Sequence, residues 1–250
     1  MHPGKADRSL QDALTWALSR MKDKGYTVKA TVSISVDPAM RIMGYARKEG
    51  EGHAIVISEW ALDSEMLGGL LLHELSHIYF TEQGAHSHDG ELLEEILQGM
   101  KEREGLRAKE MEYLVDAFNH LQNVIVDDVV FDVMGERERE QAKRFFAEWV
   151  SEKPSGDPVL DTALLCRNAF AVASLSRRKL FDPGSDMGRK NRAFVTLLGE
   201  SAAGEFEWLE GFLERASNGW TEAEYRQAMD SYFERVISMM RSSSRMGDLR

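Results

Sequence analysis

The chain has 250 residues, 43% of them apolar and 29% charged, with a net charge of −11 and a single cysteine. That length suits one large domain or two small ones, and one thiol excludes a disulfide scaffold and any cysteine-rich zinc site. The acidic balance repels phosphate backbones, which sets nucleic acid aside as principal partner.

The apolar run at Leu70 to Leu72 stops at His73, short of the ~20 residues that span a bilayer, and Met1 to Asp7 lacks the apolar run of a signal peptide. The expectation is a soluble, cytoplasmic protein with no membrane partner.

In chain order, Leu10, Ala13, Leu14, Trp16, Ala17 and Met21 follow helical spacing over Ser9 to Lys24, closed by Gly25. The β-branched alternation of Thr27 to Val36 predicts a strand, Arg41 to Lys48 a second, and His53 to Ser58 a third. Asp63, Ser64 and Glu65 are suited to cap a helix running to Phe80. A polar stretch from Thr81 to Gly90 holds His86 and His88, which are expected in solvent, as is His2. Glu91 to Glu104 reads as an acidic, solvated helix, and Lys109 to Met134 as a long helix apolar on most of its circumference.

After the charge run Glu136 to Glu140, the segment Ser151 to Pro158 carries two prolines and a glycine and marks a domain boundary or linker. Val159 to Lys179, Asn191 to Ser217 and Thr221 to Arg241 all read helical, and Ser242 to Arg250 is expected to fray. The fold class is therefore α+β: a core of helices and a small sheet over 1–150, then an all-α region over 151–250. Met239, Met240 and Met246 are assigned to core and tail.

The chemistry sits in His73-Glu74-Leu75-Ser76-His77, an H-E-x-x-H pentapeptide. Residues i and i+4 share a helix face, so both imidazoles can reach one metal ion, zinc by donor type. Glu74 can then take a proton from a water acidified by that metal. Without a metal, two histidines and a glutamate in a leucine-rich helix would cost several kcal/mol.

This motif, preceded by a helix and a small sheet, resembles the core of zincin metallopeptidases over about residues 6 to 134. The resemblance implies a zinc-dependent hydrolysis of peptide bonds. It also implies that the last strand before the motif, His53, Ala54, Ile55, Val56, Ile57 and Ser58, is the cleft edge on which a peptide or protein substrate adds as a strand. Phe80 and Gln83 stand where metzincins carry glycine and histidine, and Cys166 lies in a plain helical run unlike the cysteine motif of peptide deformylases. What remains is the gluzincin class, whose third ligand is acidic and lies on a later helix.

At 100° per residue, Asp116, His120, Asn123 and Asp127 form one polar stripe on the Lys109 to Met134 helix. Asn123-Val124-Ile125-Val126-Asp127-Asp128 is similar to the third-ligand helix of minigluzincin-like proteins, with Val126 at the glutamate position. Asp127 is the first candidate. Asp128 is the alternative, with Asp132 then holding a ligand histidine from behind, and Asp116 or a histidine stays open. Asn123 would support the site, and His120 could stabilise the oxyanion. The competing function is a non-proteolytic, zincin-like metal-binding domain that binds or regulates a partner. Tyr45 and Tyr79 are assigned to packing. The basic residues Arg177, Arg178, Lys179, Arg189, Lys190 and Arg192 are assigned to a solvated loop.

Overall fold

A computed structural model describes residues 3–247, with side chains from 9 to 242. His2, residues 248–250 and the side chain of Met246 lie outside the described residues. The architecture is α+β: helices dominate, with one small mixed sheet. The chain divides into two compact units. One comprises the residues up to His88 together with Val126–Ala142; the other comprises Asp89–Ile125 and the residues from Lys143 onward.

The first unit opens with α1 (Pro3–Asp23), whose Leu10, Leu14, Ala17 and Met21 are buried as the helical spacing requires. Next come β1 (Val32–Asp37), β2 (Gly44–Glu49) and β3 (Gly52–Ser58), then α2 (Leu67–Glu82). The first strand starts later than its alternation suggested, because Lys29 and Ala30 give their backbone N–H groups to Glu82 (2.7 and 2.9 Å) instead of to a ladder. α2 packs on both α1 and β2. Its N-cap is Met66, with no side-chain cap bond among the described residues, and Ser64 Oγ accepts from the Met66 amide at 3.0 Å in the turn before it.

The sheet order is β1-β3-β2, with β1 parallel and β2 antiparallel to β3. This corrects the expectation for His53 to Ser58. That strand is central: Ile55 pairs with Ile34 on one side and Ala46 on the other, so neither edge can accept a peptide. Its continuous burial from Ala54 to Ser58 is that of an interior strand. The outer strands are β1 and β2. His53 faces Glu82, Nε2 to Oε1 3.8 Å.

α3 (Gly90–Glu104) begins the second unit. Asp89 caps it by accepting from Glu91 and Leu92 N–H at 3.1 Å, and Gly105, at φ 61°, closes it in the left-handed conformation that glycine adopts without strain. α4 (Ala108–Val133) supplies residues to both units. The charge run Glu136 to Glu140 is the start of a further helix, α5 (Glu136–Trp149), which alternating charges hid from an apolar periodicity.

α6 (Pro158–Ser176), α7 (Asp186–Leu198), α8 (Glu200–Glu214) and α9 (Glu222–Gly247) complete the second unit, with α6 packed on α7, α8 and α9. α7 and α8 replace one expected helix because Gly199, at φ 104°, breaks it. By length and composition α6 could cross a membrane, which the apolar count around Leu70 overlooked; 67% of that stretch is buried inside the protein, the packing of a core helix.

The Ser151 to Pro158 segment is pinned. The side chain of Asn168 accepts from Ser151 N at 2.9 Å and donates to Ser151 O at 3.0 Å, and Asp161 accepts from Ser155 and Gly156 N–H. The basic cluster is equally engaged: Arg177 donates to the carbonyls of Leu213, Glu214 and Ala216, and Lys190 to that of Ala147. Arg177 and Lys190 thus satisfy orphan carbonyls, which corrects their assignment to a solvated loop, whereas Lys179, Arg189 and Arg192 are exposed as expected.

Candidate functional site

The motif helix is held by Leu71, Leu72, Leu75, Ile78 and Phe80, all buried. That packing fixes the remaining face, on which His73 and His77 stand one turn apart. Their Nε2 atoms are 3.1 Å from each other and their rings meet at 75°. Two nitrogens bound to one tetrahedral zinc at about 2.0–2.1 Å lie about 3.3 Å apart, so the pair is set close to the spacing of a shared ion.

Behind each imidazole stands a second group. Oδ1 of Asp127, in α4 and only 4% exposed, lies 3.6 Å from Nδ1 of His73. Nε2 of His88 lies 3.0 Å from Nδ1 of His77, and the Nδ1 of His88 lies 3.0 Å from the Ser87 hydroxyl. His88 is thus half-buried inside the cluster, not in solvent, which corrects the expectation for that loop. The polar stretch folds back on α2 as a short 3-10 turn, His86–His88, through bonds from Ala85 N to Phe80 O (3.1 Å) and His88 N to Ala85 O (2.8 Å). The His88 ring stacks on Phe80 at 5.3 Å, and burial together with the His73 charge pushes its pKa down to about 4. The sequence signal was a histidine eleven residues beyond His77, inconspicuous among polar neighbours.

Glu74 is 5% exposed. Burial raises its carboxyl above the ordinary range, opposed by the charge of His73 and by a hydrogen bond from the backbone N–H of Ala46 in β2. Among the described residues no lysine or arginine pairs with Glu74, and a buried carboxylate so placed is expensive. The Ala46 contact also ties the motif to an outer strand of the sheet.

The structure brings His73, Glu74, His77 and Asp127 into one unit and adds His88. It places Asp127 behind His73, on the ring nitrogen opposite the one facing His77. Among the described residues no three His, Cys, Asp or Glu side chains are arranged to hold one ion. Asp128 is exposed, one step round the helix from Asp127. Among the described residues Asp132 backs no histidine, a further correction: it lies at the surface, 3.2 Å from the Tyr26 hydroxyl and 3.6 Å from Lys24 Nζ. Tyr79 packs edge-on against Tyr26, and Tyr45 is exposed.

His120 and Asn123 belong to the second unit. Asn123 is half-buried. His120 stacks on Phe170 at 5.1 Å, and its Nδ1 is buried without a hydrogen-bond partner among the described residues. Burial and the Arg167 charge hold its pKa at about 4. It is therefore neutral at physiological pH.

No curated protein and no solved structure matches this chain. A family model does, over residues 19–229, and the chain accordingly belongs to the family of unknown function designated DUF5781.

Proposed function

We propose that the chain is a zinc-dependent hydrolase of peptide bonds, a cytoplasmic zincin-like metallopeptidase. The observation that carries this reading is the buried Glu74 beside two imidazoles whose Nε2 atoms converge to 3.1 Å. His73 and His77 would hold the ion through Nε2, with Asp127 orienting His73 from behind. A zinc ion held there supplies a Lewis acid that polarises a carbonyl and acidifies a water molecule.

The rest falls to the chain's own side chains. Glu74, kept in a dry site with a raised proton affinity, accepts the proton of the attacking water and returns it to the leaving amine. The peptide substrate lies along β2, which is exposed and adjoins Glu74 through Ala46, instead of along β3.

Glu74→Gln tests this. Zinc binding should persist while hydrolysis of an unstructured protein such as casein falls at least 100-fold. Full activity in that variant would sink the mechanism.

The position of Asp127 favours a second reading. A carboxylate behind His73 leaves the third donor unassembled among the described residues. A metal-binding domain without proteolysis, serving a partner, fits that arrangement. Zinc binding with no hydrolysis by the unaltered chain supports it.

A further inference from the structure

We infer that His88 is a positioning residue that sets the tautomer and ring orientation of His77 for metal binding. This rests on reading His73 and His77 as the metal-holding pair. A histidine that ligates through Nε2 must carry its proton on Nδ1. In His77 that Nδ1 faces Nε2 of His88 at 3.0 Å, so His77 donates and His88 accepts. His88 must then keep its own proton on Nδ1, which faces the buried Ser87 hydroxyl at 3.0 Å. One proton arrangement satisfies all three groups, and it leaves Nε2 of His77 bare toward His73.

The ring is held for this task. It stacks on Phe80 with a 27° tilt, and Phe80 is buried on the same helix as His77. The two imidazoles of the pair consequently have unlike backing. His73 has a carboxylate, which strengthens it as a donor, and His77 has a neutral imidazole, which fixes its orientation with less gain in donor strength. His88 is not itself a donor to the same ion, because the two nitrogens of the His77 ring point to opposite sides and His88 occupies the side away from His73.

The test uses the full chain, with zinc affinity measured by competition against a chelating indicator and coordination read from the visible spectrum of the cobalt(II) form. His88→Ala should weaken zinc binding about 10–100-fold with the cobalt spectrum unchanged. His88→Gln, whose amide oxygen can accept from His77, should restore most of the affinity, which a loss of folding would not allow. Unchanged affinity in His88→Ala overturns the inference, as does a cobalt spectrum showing a lost ligand. If the unaltered chain binds neither metal, the metal reading fails and this inference with it.

Discussion

Asp127 and His73 are distant in sequence, yet α4 delivers the Asp127 carboxylate to within 3.6 Å of the His73 ring at Nδ1. Under the proposed function, a carboxylate beside that nitrogen would favour a proton there and direct Nε2 toward a metal. Asp127→Asn keeps the shape and removes the charge. Zinc affinity should fall about 10–100-fold, as for loss of an orienting partner. A titration showing binding abolished, with a changed cobalt spectrum, would instead make Asp127 a direct ligand.

Burial gives Glu74 a second consequence. Because its folded pKa lies above the unfolded one, the folded chain binds this proton more tightly. Stability from this group is full at acid pH and is lost as pH rises from about 4.5 through the raised value. In chelator, Glu74→Gln should unfold at higher urea than the parent at pH 8, and the two midpoints should converge near pH 4. Equal midpoints at pH 8 would mean that the carboxylate is well solvated.

His120 acts with the opposite sign. Its folded pKa of about 4 lies below the ordinary 6.5, so the unfolded chain takes up the proton first. This stability is present above pH 6.5 and is lost as pH falls toward 4. Between pH 7 and 4.5 the loss from this group is on the order of 2–3 kcal/mol. His120→Leu should flatten the pH dependence of urea unfolding by that amount; an unaltered slope counts against a buried, neutral imidazole.

Asn168 is fully buried and satisfies both backbone groups of Ser151 while also donating to Asn191 at 3.3 Å. Asn168→Ala orphans these groups at a cost of about 3 kcal/mol. It should also expose Ser151 to Pro158 to limited proteolysis, to which the parent resists. Equal cleavage rates would mean that the segment is already loose.

The motif helix was legible because four-residue spacing of two histidines within a leucine run carries both its geometry and its chemistry. Asp127 was legible as a polar position on an apolar helix, but its side of the His73 ring was not, since that depends on how two helices pack. His88 was illegible because its burial arises from a turn closed by backbone bonds to Phe80 and Ala85. The central place of β3 was hidden for a similar reason: strand order is decided by a parallel pairing with β1, which leaves no local mark. Helix α5 was lost because its glutamates and arginines obscured Ala142 and Phe146, which are buried on its inner face.

The outer strand β2 exposes Arg47, Lys48 and Glu49, with Arg47 and Glu49 joined at 3.0 Å. Charges along an open strand discourage one sheet from zipping onto another, since each must be stripped of water before the ladders close. An edge built this way stays dispersed when molecules crowd together, yet remains open to an extended guest whose side chains answer those charges. The same three residues thus guard the chain against clumping with itself and, under the proposed function, would filter which peptide strands are admitted.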